Sequence, residues 1–310
     1  MIDETRFRGK IDPNDHVSVH RLSRSPAFYE ATSEPDERGR IRSAYRGFRL
    51  DYFYATGEIQ GKGSLQSFAQ GSNVARFTAQ EIKAACIDLA SAVDLPPEQL
   101  QISRLEAGVN LPLAESPKEF LAGLMSHQKA LFTATDPPSK ATRPLLYNAY
   151  HTERRLKFYD KGEYNRLQGR PLSPDGPPHL LRYEIAYQRA KILQRLTGLP
   201  ELTLANLYEP QVLEALANDL VKQWECTQRH QLMNYNGLSL AEATLLHVAT
   251  DTAFWEAMRK TLPRSTYERN RSRAQALLQQ RREPHLYDQV FARELNELLP
   301  SPEPVANVQK

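Results

Sequence analysis

The sequence is poor in several features, and each shortage excludes a class of protein. It has only two cysteines, Cys86 and Cys226, which lie far apart and lack the close spacing of zinc ligands, so we interpret them as reduced thiols. No apolar run approaches the roughly 18 residues that a membrane span needs. No apolar signal core follows Met1, so we expect no secretion and a cytoplasmic protein without membrane partners.

The overall charge also says little about partners. Lys and Arg number 40 and Asp and Glu 37, which leaves a net charge of +3. Any inference about partners must therefore come from the local distribution of charge. A hydrophobic content of 40% with 25% charged residues is ordinary for a globular domain. The 310 residues are enough for a buried core and favour two domains.

Alternating apolar residues predict strands in the first part of the chain. We expect a helix from the capping box Thr78–Glu81 and another at about 116–132, and His16 to His20 could form a first strand. The pattern predicts an α+β domain at 1–195. Its strands are expected in a hairpin over 46–68 and near 100–111, 144–151, 154–161 and 180–187.

After Gln188 only helical patterns remain. The stretch from Pro210 to His230 is amphipathic, and further capping boxes begin at Ser239 and Ser265. A last helix is predicted at 285–299. We therefore expect an all-α C-terminal domain at 196–300, for DNA binding or an accessory role, and a disordered tail at 301–310.

Strand alternation places a set of polar residues on one face of the predicted sheet. Successive strand residues point to opposite faces. If the apolar residues of three strands face the core, the opposite face carries Tyr, Lys, Arg and Glu side chains. These are Arg104 and Glu106, then Lys157, Tyr159 and Lys161, then Arg182 and Glu184. Such a face is either a plain solvated surface, where Glu–Lys cross-strand pairs are routine, or a functional site.

This set of residues suits phosphoryl transfer at a DNA strand. A tyrosine hydroxyl is a weak nucleophile because its pKa is near 10, and a neighbouring lysine would favour the phenolate. Two carboxylates can hold a divalent cation that polarises a phosphate. Attack by tyrosine would leave a phosphotyrosine link and a free 3′-hydroxyl, and that link would allow rejoining.

Four phrases, in this order and spacing, resemble the II/X family of phage and plasmid replication proteins, which is related to filamentous-phage gene II protein. They are the segment from Gly63 to Asn73 followed by Phe77-Thr78, then Arg104 to Asn110, Leu156 to Gly162, and Leu181 to Glu184. The resemblance covers about 45–230. It implies a rolling-circle initiator related to the HUH endonucleases, with an antiparallel sheet and helices packed on one face.

The resemblance also implies roles for individual residues. Tyr159 would be the nicking tyrosine, Lys161 the basic residue beside it, and Glu106 and Glu184 ligands of Mg²⁺ or Mn²⁺. The sequence departs from the family's usual pattern because it has no His-hydrophobic-His triplet. His151 and Asp51 are therefore candidates for a further ligand, although each could be an ordinary structural residue.

The stretch 259–282 carries a strong excess of arginine. A helix this basic suits contacts with phosphates and should bind in a salt-dependent way, although it could also be a solvated face. We expect DNA contacts from Arg264, Arg269, Arg271 and Arg273, and from Lys157, Arg104 and Arg182 on the sheet. Arg259, Lys260, Arg281 and Arg282 add to this charge, which Glu268 alone opposes.

Two functional hypotheses follow. The first is an initiator that nicks and rejoins single-stranded or cruciform origin DNA, with a host helicase and a second copy of the chain as possible partners. The second is a non-catalytic regulator that binds single-stranded nucleic acid on the same sheet face. In that case Tyr52, Tyr54 and Tyr183 could stack on bases. A second tyrosine, Tyr150 or Tyr164, could take part in strand transfer under the first hypothesis.

Overall fold

The computed structural model describes residues 1–29, 35–135, 145–170, 172, 176–229, 235–281 and 286–299. The predicted tail at 301–310 and Arg282 lie outside these ranges. Within them the chain is a mixed α+β structure with a large antiparallel sheet and a C-terminal helical region. In the same ranges, no helix combines the length and the apolar character that crossing a membrane requires.

The main feature is an antiparallel sheet, nine-stranded in the described part of the chain, with the order β2-β3-β4-β1-β5-β11-β10-β9-β8. A smaller sheet has the order β12-β6-β7. The strands are Ile2–Lys10 (β1), Arg40–Tyr45 (β2), Phe48–Phe53 (β3), Glu58–Ser64 (β4), Gln101–Leu113 (β5), Leu124–His127 (β6), Ala130–Leu131 (β7), Thr133–Thr135 (β8), Leu146–Tyr150 (β9), Arg154–Asp160 (β10), His179–Tyr187 (β11) and Thr227–Arg229 (β12).

Helices connect and follow these strands. They are His16–Ser23 (α1), Leu65–Gln70 (α2), Ala79–Ala92 (α3), Lys118–Ala122 (α4), Lys161–Leu167 (α5), Ala190–Thr197 (α6), Pro210–Glu225 (α7), Leu240–His247 (α8), Thr252–Thr261 (α9), Arg264–Arg281 (α10) and Leu286–Leu298 (α11). The capping boxes predicted at Thr78 and Ser239 are both formed, so α3 and α8 begin where the sequence indicates.

The apolar face of the sheet forms the core by packing against helices. Phe158 and Tyr183 are fully buried, and their rings stack with centroids 4.7 Å apart. Trp224 of α7 lies 5.3 Å from Tyr183 and stacks on Phe291 at 4.4 Å. Because the apolar residues of β10 and β11 pack in this core, the polar residues that alternate with them must point to the other face of the sheet.

The chain divides into two compact units at a different place from the predicted boundary at 195/196. One unit comprises Met1–Gln228 and the segment from Phe291 onward, and the other is Arg229–Val290. Residues 196–228 belong to the sheet unit because α7 contributes Trp224 to the core, and Tyr183 donates a hydrogen bond to the Leu220 carbonyl. The second unit has its own core of Ala249, Trp255, Tyr267 and Ala274.

Three predicted elements differ from the structure. The segment from His16 is a helix, because the Asp15 carboxylate caps the amides of Val17 and Ser18. The helix predicted at 116–132 ends at Ala122, and the chain then forms β6 and β7. Ser265 does not cap α10. The first hydrogen bond of that helix reaches the Pro263 carbonyl, which puts Ser265 inside the first turn.

Candidate functional site

The predicted polar residues of three strands lie on one face of the sheet. In the register of β10 with β11, Tyr159 is opposite Arg182 and Lys157 is opposite Glu184. In the register of β11 with β5, Arg182 is opposite Asn110. Directly paired residues point to the same side, which is the arrangement that the strand alternation predicts. We call this group, together with Glu106 and Asp3, the polar cluster.

The polar cluster is not a solvated surface. Glu184 is 1% exposed, Arg182 2%, Glu106 5% and Tyr159 7%. Charged groups this deeply buried need partners, because burial of an unpaired charge costs several kcal/mol. The alternative of a plain solvent-facing sheet therefore does not hold for these residues.

The two glutamates meet at a lysine rather than at an open space. The Lys157 ammonium lies 2.6 Å from Glu106 Oε2 and 2.5 Å from Glu184 Oε2. Burial lowers the pKa of Lys157, but the two carboxylates outweigh burial, and the net shift is upward. Lys157 therefore remains charged and bridges the carboxylates.

The Tyr159 hydroxyl donates a hydrogen bond to Glu184 Oε1 over 3.0 Å. Burial and the Glu184 carboxylate raise the pKa of Tyr159 well above 10, and Arg182 offsets only part of this effect. The ammonium of Lys161, the lysine expected beside the nucleophile, lies 6.0 Å from the ring centroid of Tyr159. The net effect of the surroundings is therefore to disfavour the phenolate in this conformation.

Lys161, the first residue of α5, is fully buried. Its ammonium donates a hydrogen bond to Asn73 Oδ1 over 2.6 Å. Burial, reinforced by the positive charge of Arg182, lowers the pKa of Lys161 to about 8. Lys161 can therefore exchange a proton near neutral pH, which an ordinary lysine does not do.

Arg182 joins the parts of the polar cluster. Its guanidinium donates to Glu184 Oε1 at 2.9 Å, to Asn110 Oδ1 at 3.0 Å and to Asp3 Oδ2 at 3.1 Å. Burial lowers its pKa, but Glu184 and Asp3 outweigh burial, so the net shift is upward. Sequence analysis missed Asp3. No local signal marks Asp3, because the register of β1 with β5 shifts between Ile2 and Thr5, and strict alternation would put Asp3 on the same face as Thr5 and Phe7.

The segment around Asn73 lies against the polar cluster. Asn73 donates to Asp3 Oδ2 at 2.9 Å, and Asn110 donates to the carbonyls of Asn73 and Val74 at 3.2 and 2.8 Å. Gly71 caps α2 with a positive φ of 74°, a conformation that favours glycine. Hydrogen bonds with Asp3, Asn110 and Lys161 thus hold the segment against the polar cluster.

Asp51 and His151 do not complete a metal site with the two glutamates. Asp51 is on β3, which β4 and β1 separate from β5, and its carboxylate lies 3.1 Å from Arg42 Nε. His151 follows β9 and its Nε2 lies 2.8 Å from His127 Nδ1. Burial lowers the pKa of both histidines, that of His127 to about 4, so this pair is neutral at pH 7.

The residues present do not fit the divalent metal that the family resemblance implies. Each oxygen of the two carboxylates already has a cation or a hydrogen-bond donor, because Arg104 lies 3.0 Å from Glu106 Oε1, Arg182 and Tyr159 share Glu184 Oε1, and Lys157 takes the other two oxygens. In the described ranges, no three His, Cys, Asp or Glu side chains cluster in a way that could hold a metal ion.

Comparison with known proteins gives no family. No family model matches the sequence, and no curated protein is similar enough to count as a match. The resemblance to the II/X replication proteins therefore stays a prediction, and the function has to be argued from the geometry of the polar cluster.

The predicted DNA-binding residues fall into two groups. Arg182 is buried, and the side chains of Lys157 and Arg104 are only 12% and 20% exposed, so all three are largely withdrawn from solvent. The helix α10 exposes its arginines. Arg264 and Arg273 pair with Glu268 and Glu242 at 2.8 and 3.0 Å, Arg271 contacts the Tyr267 hydroxyl, and Arg269 is exposed.

Two of the three aromatics expected to stack on bases are unavailable. Tyr52 is 3% exposed and Tyr183 is fully buried in the core, whereas Tyr54 is 49% exposed. Both buried tyrosines lie on the apolar side of their strands. A base could not reach them without unfolding the sheet.

Proposed function

We propose that the chain nicks and rejoins one DNA strand through Tyr159, as a rolling-circle replication initiator related to the HUH endonucleases. The observation that carries this proposal is the hydrogen bond of 3.0 Å from the Tyr159 hydroxyl to Glu184 Oε1, inside a buried cluster with Lys157 and Arg182. A nucleophile, a proton acceptor and cations for a phosphate thus meet on one sheet face.

The chemistry balances without an outside reactant. Tyr159 Oη attacks the phosphorus of a phosphodiester, the bond from phosphorus to O3′ breaks, and a 5′-phosphotyrosine link forms. The phenolic proton passes to Glu184, and O3′ takes a proton from the Lys161 ammonium. Burial raises the pKa of Glu184, but Lys157 and Arg182 outweigh burial and hold that pKa well below its usual range. Because the pKa of Tyr159 is also raised, the proton leaves as the new bond forms rather than before it. One phosphodiester replaces another, so the reverse step rejoins the strand.

Opening of the site precedes this step. Asn73 and its neighbour Val74 are held by hydrogen bonds from Lys161 and Asn110, and these donors are also suited to bind phosphate oxygens. A phosphate that takes over the donors would displace the segment and gain the positive charge of Arg182. Substrate binding and exposure of Tyr159 are then the same event.

The C-terminal unit would supply affinity for the DNA. Arginines on one exposed helix bind phosphates without reading the bases, and such binding weakens as salt increases. Arg269, exposed on α10, is the residue with which we would begin to test this role.

The test is formation of a covalent adduct. Randomised single-stranded oligonucleotides labelled at the 3′ end are incubated with the protein, and denaturing gels detect labelled protein. Wild type should carry the label and Tyr159→Phe should not. The control is Tyr164→Phe, whose ring lies 5.9 Å from that of Tyr159 and which should keep the adduct. Equal labelling of wild type and Tyr159→Phe would rule out Tyr159 as the nucleophile.

The second hypothesis, a non-catalytic nucleic-acid-binding regulator, is less well supported. It needs aromatic platforms on the sheet, and Tyr54 alone of its three candidates is accessible. It also leaves the buried Tyr159–Glu184 pair without a role. Binding of the oligonucleotides without any adduct, under all conditions, would favour it.

A further inference from the structure

The polar cluster already contains a cation where the family resemblance implies a metal ion. Lys157 Nζ is within 2.6 Å of one oxygen from each of Glu106 and Glu184. A divalent ion that binds both carboxylates through these two oxygens, at about 2.0–2.1 Å for Mg²⁺, would have to replace the ammonium. The other oxygen of each carboxylate already pairs with Arg104 or Arg182, so a metal ion and the present set of cations exclude each other.

The carboxylates of the cluster are already compensated without a metal. They are those of Asp3, Glu106 and Glu184, and the cations that pair with them are Arg104, Arg155, Lys157 and Arg182. Four positive charges thus meet three negative ones. A divalent ion would add further positive charge to this buried site, unless Lys157 left it.

We propose that Lys157 is the resident cation of this site and that strand transfer through Tyr159 needs no divalent metal. Lys157 holds Glu184 in place, and Glu184 receives the phenolic proton. The ammonium also compensates the negative charge of the carboxylates, which would otherwise repel the phosphate. The inference rests on the proposed strand transfer, but its main test needs no DNA.

The test is titration of the intact chain with Mn²⁺ alone, followed by electron paramagnetic resonance of the free ion. Wild type should bind no Mn²⁺ at the cluster. Lys157→Met should gain one site, at least 10-fold tighter than any in wild type, because two carboxylates lose their ammonium. Lys157→Arg, which keeps the charge, should gain none.

The matched control is Lys62→Met. Lys62 lies on the same sheet face, but its ammonium is 3.7 Å from the single carboxylate of Glu4, so its removal should create no site. The proposal would be overturned if wild type bound one Mn²⁺ and Glu184→Gln lost that site. This measurement does not depend on any Lys157 variant. A folded Lys157→Met without a gained site would overturn it as well.

A second measurement separates this inference from the proposed function. Adduct formation by wild type should be equal within about 2-fold in EDTA and in Mg²⁺. An adduct that disappears in EDTA and returns with Mn²⁺ would overturn the role of Lys157 and leave Tyr159 as the nucleophile. Absence of any adduct would overturn the function, whereas the Mn²⁺ titration would still decide whether Lys157 occupies a cation site.

Discussion

The buried Lys161 should make the stability of the protein rise with pH in an unusual range. Its pKa is lowered from the ordinary value near 10.5 to about 8. Between these values the unfolded chain binds a proton that the folded chain does not, so the free energy of unfolding increases as pH rises. Keeping Lys161 charged in the fold costs about 3 kcal/mol at pH 7, and linkage predicts a gain of about 2 kcal/mol from about pH 7.5 to about pH 9.5.

Urea unfolding of wild type and Lys161→Met at both pH values measures this gain. The variant also loses the hydrogen bond to Asn73, but that loss shifts its stability equally at the two pH values. The quantity to compare is therefore the increase in the free energy of unfolding between the two pH values. This increase should be about 2 kcal/mol smaller in Lys161→Met than in wild type. Lys191→Met, at an exposed position of α6, serves as control and should follow wild type. If the free energy of unfolding changes with pH to the same extent in wild type and in Lys161→Met, the burial of a charged Lys161 is refuted.

Two further predictions concern the core and the basic helix. Trp224→Ala should lower the free energy of unfolding by about 3–5 kcal/mol in urea denaturation, because Trp224 is 3% exposed and stacks on Phe291; a loss below about 1 kcal/mol would contradict this packing. Arg269→Ala should reduce the slope of log affinity for DNA against log salt by about 1. Gln279→Ala, exposed on the same helix, should leave the slope unchanged, and an equal effect of both variants would count against phosphate contact by Arg269.

The parts of the fold that local physics specifies could be predicted from the sequence. The hairpin of β3 and β4 follows from alternation around Thr56-Gly57, and Gly57 takes the positive φ of 66° that such a turn needs. The capping boxes marked the starts of α3 and α8. Strand phase placed Tyr159, Glu184 and Glu106 on one face, because a two-residue period leaves no other choice once the apolar residues are buried.

The helix from His16 was missed although its signal is local, because the Asp15 cap outweighs the strand-like alternation from His16 to His20. The parts that depend on distant contacts could not be predicted. Strand phase says which side chains share a face, but it does not say which of them touch. The bridge that Lys157 makes between two glutamates depends on the order of β5, β11 and β10 in the sheet, and nothing local in the sequence gives that order.

The energetics of the polar cluster favour a functional role over a purely structural one. Ion pairs as buried as Arg182 with Glu184 and Asp3 contribute little net stability, because desolvation offsets most of their attraction, and apolar residues of similar size are often at least as stable. A core built for stability alone would therefore not need these three carboxylates and the four cations that pair with them. These groups do become useful when a phosphate enters, since the cations are already oriented and need no reorganisation at the moment of reaction.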